Sequence, residues 1–353
     1  MTSALTETPT TRFDASAFAP RPAEERGQRR DAVRLLVATP DGLDHVRFRD
    51  LPDHLSAGDV LVVNTSATVP SEIDATHRGA PVVLHLAHRL EDGSRVVEIR
   101  TAPDAARAVL DASTGEVLAA GQARLVLLEP WPTGISSSPS GRGNRLWRAR
   151  VRGDLDGELA RRGRPIAYGY LDRRYPLTAY QTVFGRHPGS AEMASAARPF
   201  TPELVAGLVA AGVAFAPVTL HAGLSSQEAG EAPGPEWFEV PEWSARLVEA
   251  ARAGGGRVIA VGTTATRALE SSARGGRVVA GRGWTSRVVT PLEPPRVVDG
   301  LITGWHDPMA SHLLLVESVA GPGLTQAAYE AAATRGYLWH EFGDSGLFLP
   351  RRR

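Results

Sequence analysis

Residues Gly256-Arg-Val-Ile-Ala-Val-Gly-Thr-Thr-Ala-Thr-Arg-Ala-Leu-Glu270 constrain the fold of this chain more than any other stretch. Arg257 to Val261 is a short apolar run of the kind a buried strand uses. Gly262 breaks it, Thr263 and Thr264 bring hydroxyls suited to capping a helix, and Ala265, Ala268 and Leu269 recur at helical spacing. A strand, a tight turn and a helix start, in that order, offer free backbone N–H groups to an anion. Arg267, placed by this reading in the first helical turn, opposes the helix dipole unless something negative lies nearby. The segment therefore predicts a ligand-binding turn, with an ordinary buried turn and a solvated arginine as the alternative.

A length of 353 residues points to two domains, because single cores rarely grow past about 250–300 residues. The hydrophobic fraction of 42% suits a sizeable core, and no run reaches the roughly 18 apolar residues that span a membrane. The polar, Thr-rich N-terminus lacks the apolar centre of a signal peptide. With no cysteine there is no disulfide, iron–sulfur cluster or thiolate zinc site, and a cytoplasmic location is the expectation. All 39 basic residues are arginine, which excludes Schiff-base chemistry and a Walker lysine. Formal charge is balanced, so nothing global advertises nucleic acid. The clusters Arg26, Arg29, Arg30 and Arg34, then Arg161, Arg162 and Arg164, then Arg351 to Arg353, read as solvated faces.

Residues 1–12 read as a disordered leader. From about Ser66 to Val151 the chain runs in short alternating segments, with Glu91-Asp92-Gly93 a hairpin turn between Leu84–Leu90 and Val96–Ile99. This predicts a small all-β barrel over 66–151, carrying a flexible Ser/Pro/Gly-rich loop at Thr133 to Asn144. His85 and His88 on it read as a strand-surface pair. Residues 13–65 and 152–350 then form one discontinuous α/β domain, a layered sheet with parallel strands. In it Thr201 caps a helix begun by Pro202, with Leu204, Val205, Leu208 and Val209 as its buried stripe. Val213 to Leu220 follows as a strand, and Glu242 to Ala253 as a helix burying Trp243, Leu247, Val248 and Ala251.

Strand ends matter most here. His221 closes one predicted strand, Gly262-Thr263-Thr264 closes the next, and His306 follows the apolar run Leu301 to Trp305. Ligands of open α/β sheets lie at the carboxyl ends of the strands, so these three stations would converge if the strands are parallel neighbours. A lone histidine serves structure as readily as chemistry; two at equivalent strand ends beside an anion-ready turn shift the balance toward a site.

From Phe13 to Leu349 the sequence resembles the S-adenosylmethionine:tRNA ribosyltransferase-isomerases of queuosine biosynthesis. The blocks that carry the resemblance are Gly58-Asp-Val-Leu-Val-Val-Asn-Thr65, Ala179-Tyr-Gln-Thr-Val-Phe184, Val218-Thr-Leu-His-Ala-Gly223, Val261–Glu270, Leu301-Ile-Thr-Gly-Trp-His-Asp-Pro308 and Gly343-Asp344. The resemblance implies an α/β domain with an inserted β-barrel. It also implies an enzyme that moves the ribosyl group of S-adenosylmethionine onto 7-aminomethyl-7-deazaguanine in tRNA and isomerises it, releasing adenine and methionine. Such chemistry needs a base near the sulfonium, groups that receive developing charge, and a pocket for an extruded base.

Several blocks depart from the family's pattern. Asn64-Thr-Ser-Ala67 lacks the usual acid and arginine, Met193-Ala-Ser-Ala-Ala-Arg-Pro-Phe200 lacks a usual threonine and histidine, and Leu224-Ser-Ser-Gln227, Asp307-Pro-Met-Ala-Ser311 and Tyr337-Leu-Trp-His340 also differ. Three readings follow: the family reaction on tRNA, a paralogue that uses S-adenosylmethionine on a small-molecule or other non-tRNA acceptor, and an inactive binding protein. The family reaction is the expectation. Gly262, Thr263, Thr264 and Arg267 are assigned to an anion, the methionine carboxylate of S-adenosylmethionine. Asn64, Tyr180 and Gln181 are assigned to base or ribose hydrogen bonds. His221 and His306 are the acid/base candidates, and Glu270 either orients Arg267 or receives a ribose hydroxyl or the sulfonium charge. No cluster has metal-ligand spacing, and oligomeric state is not legible.

Overall fold

The computed structural model describes residues 7–14, 17–132, 142–224, 231–306 and 312–351. Among these, nine strands form the main sheet, in the order Gly281–Thr285, Glu236–Val240, Ala214–Leu220, Val60–Asn64, Val258–Val261, Gly300–Gly304, Ser345–Phe348, Arg34–Thr39 and Gly42–Arg47. The four from Ala214–Leu220 to Gly300–Gly304 run parallel. Antiparallel neighbours flank them at Glu236–Val240 and Ser345–Phe348, so the sheet is mixed.

Val60-Leu-Val-Val63 is apolar at every position because both faces of this strand are covered. Val60 and Val62 pack with Val258, Ala260 and Val316, whereas Leu61 and Val63 pack on the other side with Ile259, Val261, Ile302 and Phe200. Successive strand residues point to opposite faces, so one run feeds two cores.

The helices begin where the sequence predicts. Thr201 Oγ1 accepts from the Leu204 N–H at 3.2 Å, and Pro202 opens the helix Pro202–Ala210. Their buried stripes are narrower than predicted: Leu204 and Leu208 in this helix, and Ser244, Ala245 and Val248 in Glu242–Ala253, leaving Val209 and Trp243 exposed. A helix meets a sheet along one line, so a residue one position off that line turns to solvent.

Leu146–Arg152, Arg95–Thr101, Ala80–Arg89, Glu72–His77, Val117–Ala120 and Ala123–Pro130 close an antiparallel barrel, the all-β element the sequence predicts. Gly93, at φ 80°, makes the turn of its longest hairpin. Residues 133–141 of the predicted flexible loop and residues 1–6 of the predicted leader lie outside the described residues. Residues 7–12 do not run free: the N–H groups of Thr10 and Thr11 donate to Glu317 Oε1 at 2.8 and 2.6 Å. That carboxylate is buried on the helix His312–Ala320 and needs donors.

His85 and His88 are both buried rather than on the barrel surface. His85 lies between Glu72 (3.0 Å) and Glu98 (3.4 Å), and Glu98 also meets Arg100 at 2.8 Å and Arg145 at 3.2 Å. Arg145 Nε continues to Glu231 at 3.1 Å, which ties the barrel to the segment entering Glu236–Val240. His88 instead stacks edge-on against Trp284 of the sheet's edge strand. Burial alone would raise the Glu98 pKa, but the hydrogen bond from His85 and the Arg145 and Arg100 charges hold it at about 2. Replacing Glu98 with Ala removes the common partner of these cations, and a broken buried ion pair costs roughly 3–5 kcal/mol. Urea denaturation of Glu98→Ala should show a loss of that size; a loss under about 1 kcal/mol, the scale of an exposed pair, would mean the network is solvated.

Candidate functional site

The parallel strands end at Leu220, Asn64, Val261 and Gly304, and a cleft opens over these ends. It holds about 1330 Å³ of free space, counting the mouth open to solvent. Gly262, Thr263, Thr264 and Arg267 form one wall, Thr303, Gly304 and His306 the next, and Glu192–Ala196 with His340 and Glu341 stand on other sides.

Gly262 is the N-cap of the helix Thr263–Ser271 and sits at φ 92°, which only glycine adopts at little cost. No side chain caps this helix, so the threonines do not act as caps. The first N–H groups have no carbonyl one turn earlier in the helix and are available to an anion in the cleft. Thr264 Oγ1 is fixed from outside by Asn64 Nδ2, which donates to it at 3.1 Å. Asn64 also donates to the Leu220 carbonyl at 2.9 Å and accepts from the Ser66 and Leu220 N–H groups, each at 3.0 Å. Its amide is thereby occupied in bracing the turn and does not line the cleft.

Arg267 is the fifth residue of the helix, not part of its first turn, and it is buried. It forms an ion pair with Glu236, and Nε and Nη2 donate to the carbonyls of Arg287 (2.9 Å) and Gly234 (3.1 Å). Its negative neighbour belongs to the protein itself. Burial pushes the Glu236 carboxyl up, against the pull of Arg267 and of the Gly223 N–H. Glu270 turns away from Arg267 and the cleft. Its carboxylate accepts from the N–H groups of Arg296 (2.8 Å), Val297 (2.9 Å) and Val298 (3.1 Å), and it does not line the cleft.

Tyr180 is buried against Phe342 and Gln181 bonds the Thr68 backbone; neither lines the cleft. His221 lies just behind it. Its Nδ1 meets Ser66 Oγ at 2.7 Å and its ring stacks on Trp237, while the following residues Ala222 and Gly223 reach the wall. Burial lowers the His221 pKa, helped by His187. His306 does face the cleft, with Nε2 at 2.9 Å from Thr303 Oγ1 and its ring stacked on His312 at 4.8 Å. Burial first, and the two neighbouring histidines next, hold its pKa well below the ordinary value. His312 is likewise held at about 4.

Several cleft residues escape the sequence reading: Glu192, His312, His340 and Glu341, with Tyr168 and Tyr170 behind them. Tyr168 donates to Glu192, and Tyr170 Oη lies 2.9 Å from His340 Nδ1. His340 occupies φ 68°, uncommon outside glycine and a mark of a constrained site. The signal was partly present, because Glu192 precedes the divergent block Met193–Phe200 and Glu341 follows the divergent Tyr337–His340. Burial and the Glu192 charge push the Glu341 carboxyl up to about 8, against Arg198.

Two outcomes follow. Arg267→Ala leaves Glu236 without its cation and should destabilise the fold by roughly 3–5 kcal/mol in urea; a stable variant that merely lost ligand affinity would restore Arg267 as a direct anion partner. Glu341, raised above the unfolded value of 4.5 to about 8, binds its proton more tightly in the folded state. Its contribution to stability therefore declines as pH rises from 4.5 to 8 and levels off beyond. Glu341→Gln should gain melting temperature relative to the native protein across this window; a difference that is flat with pH would show ordinary titration.

The profile described as queuosine biosynthesis protein matches residues 12–348. The S-adenosylmethionine:tRNA ribosyltransferase-isomerase of Thermus thermophilus is 35% identical over 342 residues, covering 93% of this chain and 95% of the relative. The protein of the same name from Anaeromyxobacter dehalogenans is 37% identical over 341 residues, covering 91% and 94%. Among solved structures, the S-adenosylmethionine tRNA ribosyltransferase of Thermotoga maritima aligns with a TM-score of 0.51 at 28% identity, over 94% of this chain and 96% of that one. With a match that runs almost end to end and relatives this similar, the chain belongs to the queuosine biosynthesis protein family.

Proposed function

We propose that this enzyme transfers the ribosyl group of S-adenosylmethionine to 7-aminomethyl-7-deazaguanine in tRNA and isomerises it, releasing adenine and methionine. The observation that carries the reading is the cleft at the parallel strand ends, lined by an uncapped helix start and a half-buried histidine, in a chain matched to the family over residues 12–348. The relatives' names specify both the donor and tRNA. No observation favours a non-tRNA acceptor or an inactive binding protein. Modification of tRNA would place the work in the cytoplasm, and among the described residues no helix is long and apolar enough to cross a membrane.

In this reading the methionine carboxylate lies against the first N–H groups of the helix Thr263–Ser271 and the Thr263 and Thr264 hydroxyls. Arg267 acts one step removed, by holding the Gly234 and Arg287 carbonyls that frame that wall. His306 lines the cleft and is the group placed to take a proton from carbon beside the sulfonium, with Thr303 orienting its ring. The acceptor base, out of its stack, enters from the side of Met193–Ala196, Leu224 and His340. Most of this wall comes from the blocks that depart from the family pattern, whereas the donor wall comes from those that keep it.

Incubating the protein with S-adenosylmethionine and tRNA carrying the aminomethyl base, then analysing every product by mass spectrometry, should yield adenine and methionine in equal amounts. S-adenosylhomocysteine instead would mean methyl transfer and reject the reading. His306→Gln should bind S-adenosylmethionine yet turn over about 10²–10⁴-fold more slowly, the usual span of general acid–base catalysis; near-native turnover would remove His306 as the base.

A further inference from the structure

We propose that Glu341, together with Glu192, forms a subsite in the cleft for a positively charged ammonium group of a bound substrate. Glu341 is 8% exposed, it lines the cleft, and its Oε2 has no hydrogen-bond partner among the described residues. A buried carboxyl oxygen left without a hydrogen-bond partner is costly whether or not it carries a proton, so such an atom at a cavity wall marks a place where a ligand supplies the partner.

The surroundings narrow what that ligand can be. Glu192 lines the same wall and already accepts from Tyr168, which orients it. Arg198, the cation acting on Glu341, is turned elsewhere: it pairs with Glu24 at 3.0 Å and donates to the Ala179 carbonyl at 3.0 Å. No group of three or more acidic, histidine or cysteine side chains among the described residues is arranged to hold a metal, and a hard cation such as calcium asks for about six oxygen ligands. An ammonium needs less. It carries one charge and three donors on a small head, which two carboxylates can satisfy. Tyr168, Tyr170 and His340 close this corner with stacked and tilted rings, keeping water scarce around the charge and strengthening the attraction.

The identity of the ammonium rests on the reaction proposed above, which offers two sources. One is the aminomethyl group of the acceptor base, and the other is the α-ammonium of the methionine half of S-adenosylmethionine. Calorimetry on the full chain separates them. The free base 7-aminomethyl-7-deazaguanine is compared with its 7-hydroxymethyl counterpart, and S-adenosylmethionine with its deamino analogue, which keeps the sulfonium and the carboxylate, for the native protein and for Glu341→Gln. The native protein should prefer the ammonium member of one pair by roughly ten- to a hundredfold, the range of a charged hydrogen bond, and the variant should lose that preference.

Binding should also release a proton at pH 7 and none near pH 9, read from heats in buffers of different ionisation enthalpy. Glu341 keeps its proton at neutrality in the free protein and surrenders it to a cation. The groups that face it are Glu192, His340, Tyr168, Tyr170 and Arg198, and Glu192→Gln should show the same loss of preference. Loss in the first pair assigns the subsite to the acceptor, and loss in the second assigns it to the donor. Unchanged preference in both pairs, in a variant with native circular dichroism, would overturn it. Product analysis on the native protein fails or succeeds separately: charge preference with S-adenosylhomocysteine as product would reject the reaction and leave the subsite standing.

Discussion

The buried carboxamide of Asn64 holds together the place where the cleft begins. One side chain at the end of a central strand bonds both the N–H and the carbonyl of Leu220 on the neighbouring strand, the N–H of Ser66 on its own chain, and the hydroxyl of Thr264 across the other neighbour's turn. Each bond is worth only about 1 kcal/mol net, but an unmade one in a site this buried would cost more. The result is that the ends of Ala214–Leu220, Val60–Asn64 and Val258–Val261 are locked in one register. The cleft residues next to these ends, Gly262 to Thr264 on one side and Ala222 and Gly223 on the other, leave from positions held by that amide.

Charge is used in two different ways around this frame. Arg267 and Glu236 satisfy each other, and the surplus donors of Arg267 hold the carbonyls of Gly234 and Arg287. Glu231, a few residues before Gly234, is held by Arg145 and through it by Glu98 and His85 of the barrel. A line of buried ion pairs thus runs from the barrel interior to the cleft wall, and closure of the barrel helps to shape the site. Glu341 is the opposite case: its carboxyl is buried without a cation on it and holds its proton until one arrives. A structural pair is complete in the free protein, whereas a binding group is completed by its ligand.

Much of the architecture was legible because it rests on local periodicity. The Val60 to Val63 run, the Thr201-Pro202 helix start, the Gly93 hairpin and the strand–turn–helix at Gly262 each declare themselves within a few residues, and the α/β sheet with its closed barrel follows from them. Side-chain assignments travelled less well. Arg267 and Glu270 lie on the helix that the sequence singled out, yet one is spent on Glu236, far along the chain, and the other on the backbone of 296–298. Asn64 and Gln181 likewise proved to be braces of the backbone. A polar side chain beside a predicted turn shows only that it must find a partner, and the nearest partner in space is a property of the folded chain.

What the sequence by itself determined is therefore where strands end, which turn must carry glycine, and that His306 follows a strand end. These depend on φ/ψ preference and on the spacing of apolar residues, both of which act over a few positions. Only the tertiary structure decided which charges cancel and which remain for a ligand. Glu192, Tyr168, Tyr170, His340 and Glu341 come from segments more than a hundred residues apart and share no periodic signal. They meet at the cleft, where the segment before Ser345–Phe348 and the loop that follows His187–Ser190 share a wall. Their ionisation follows from that meeting, because desolvation and neighbouring charge act through space and not along the chain.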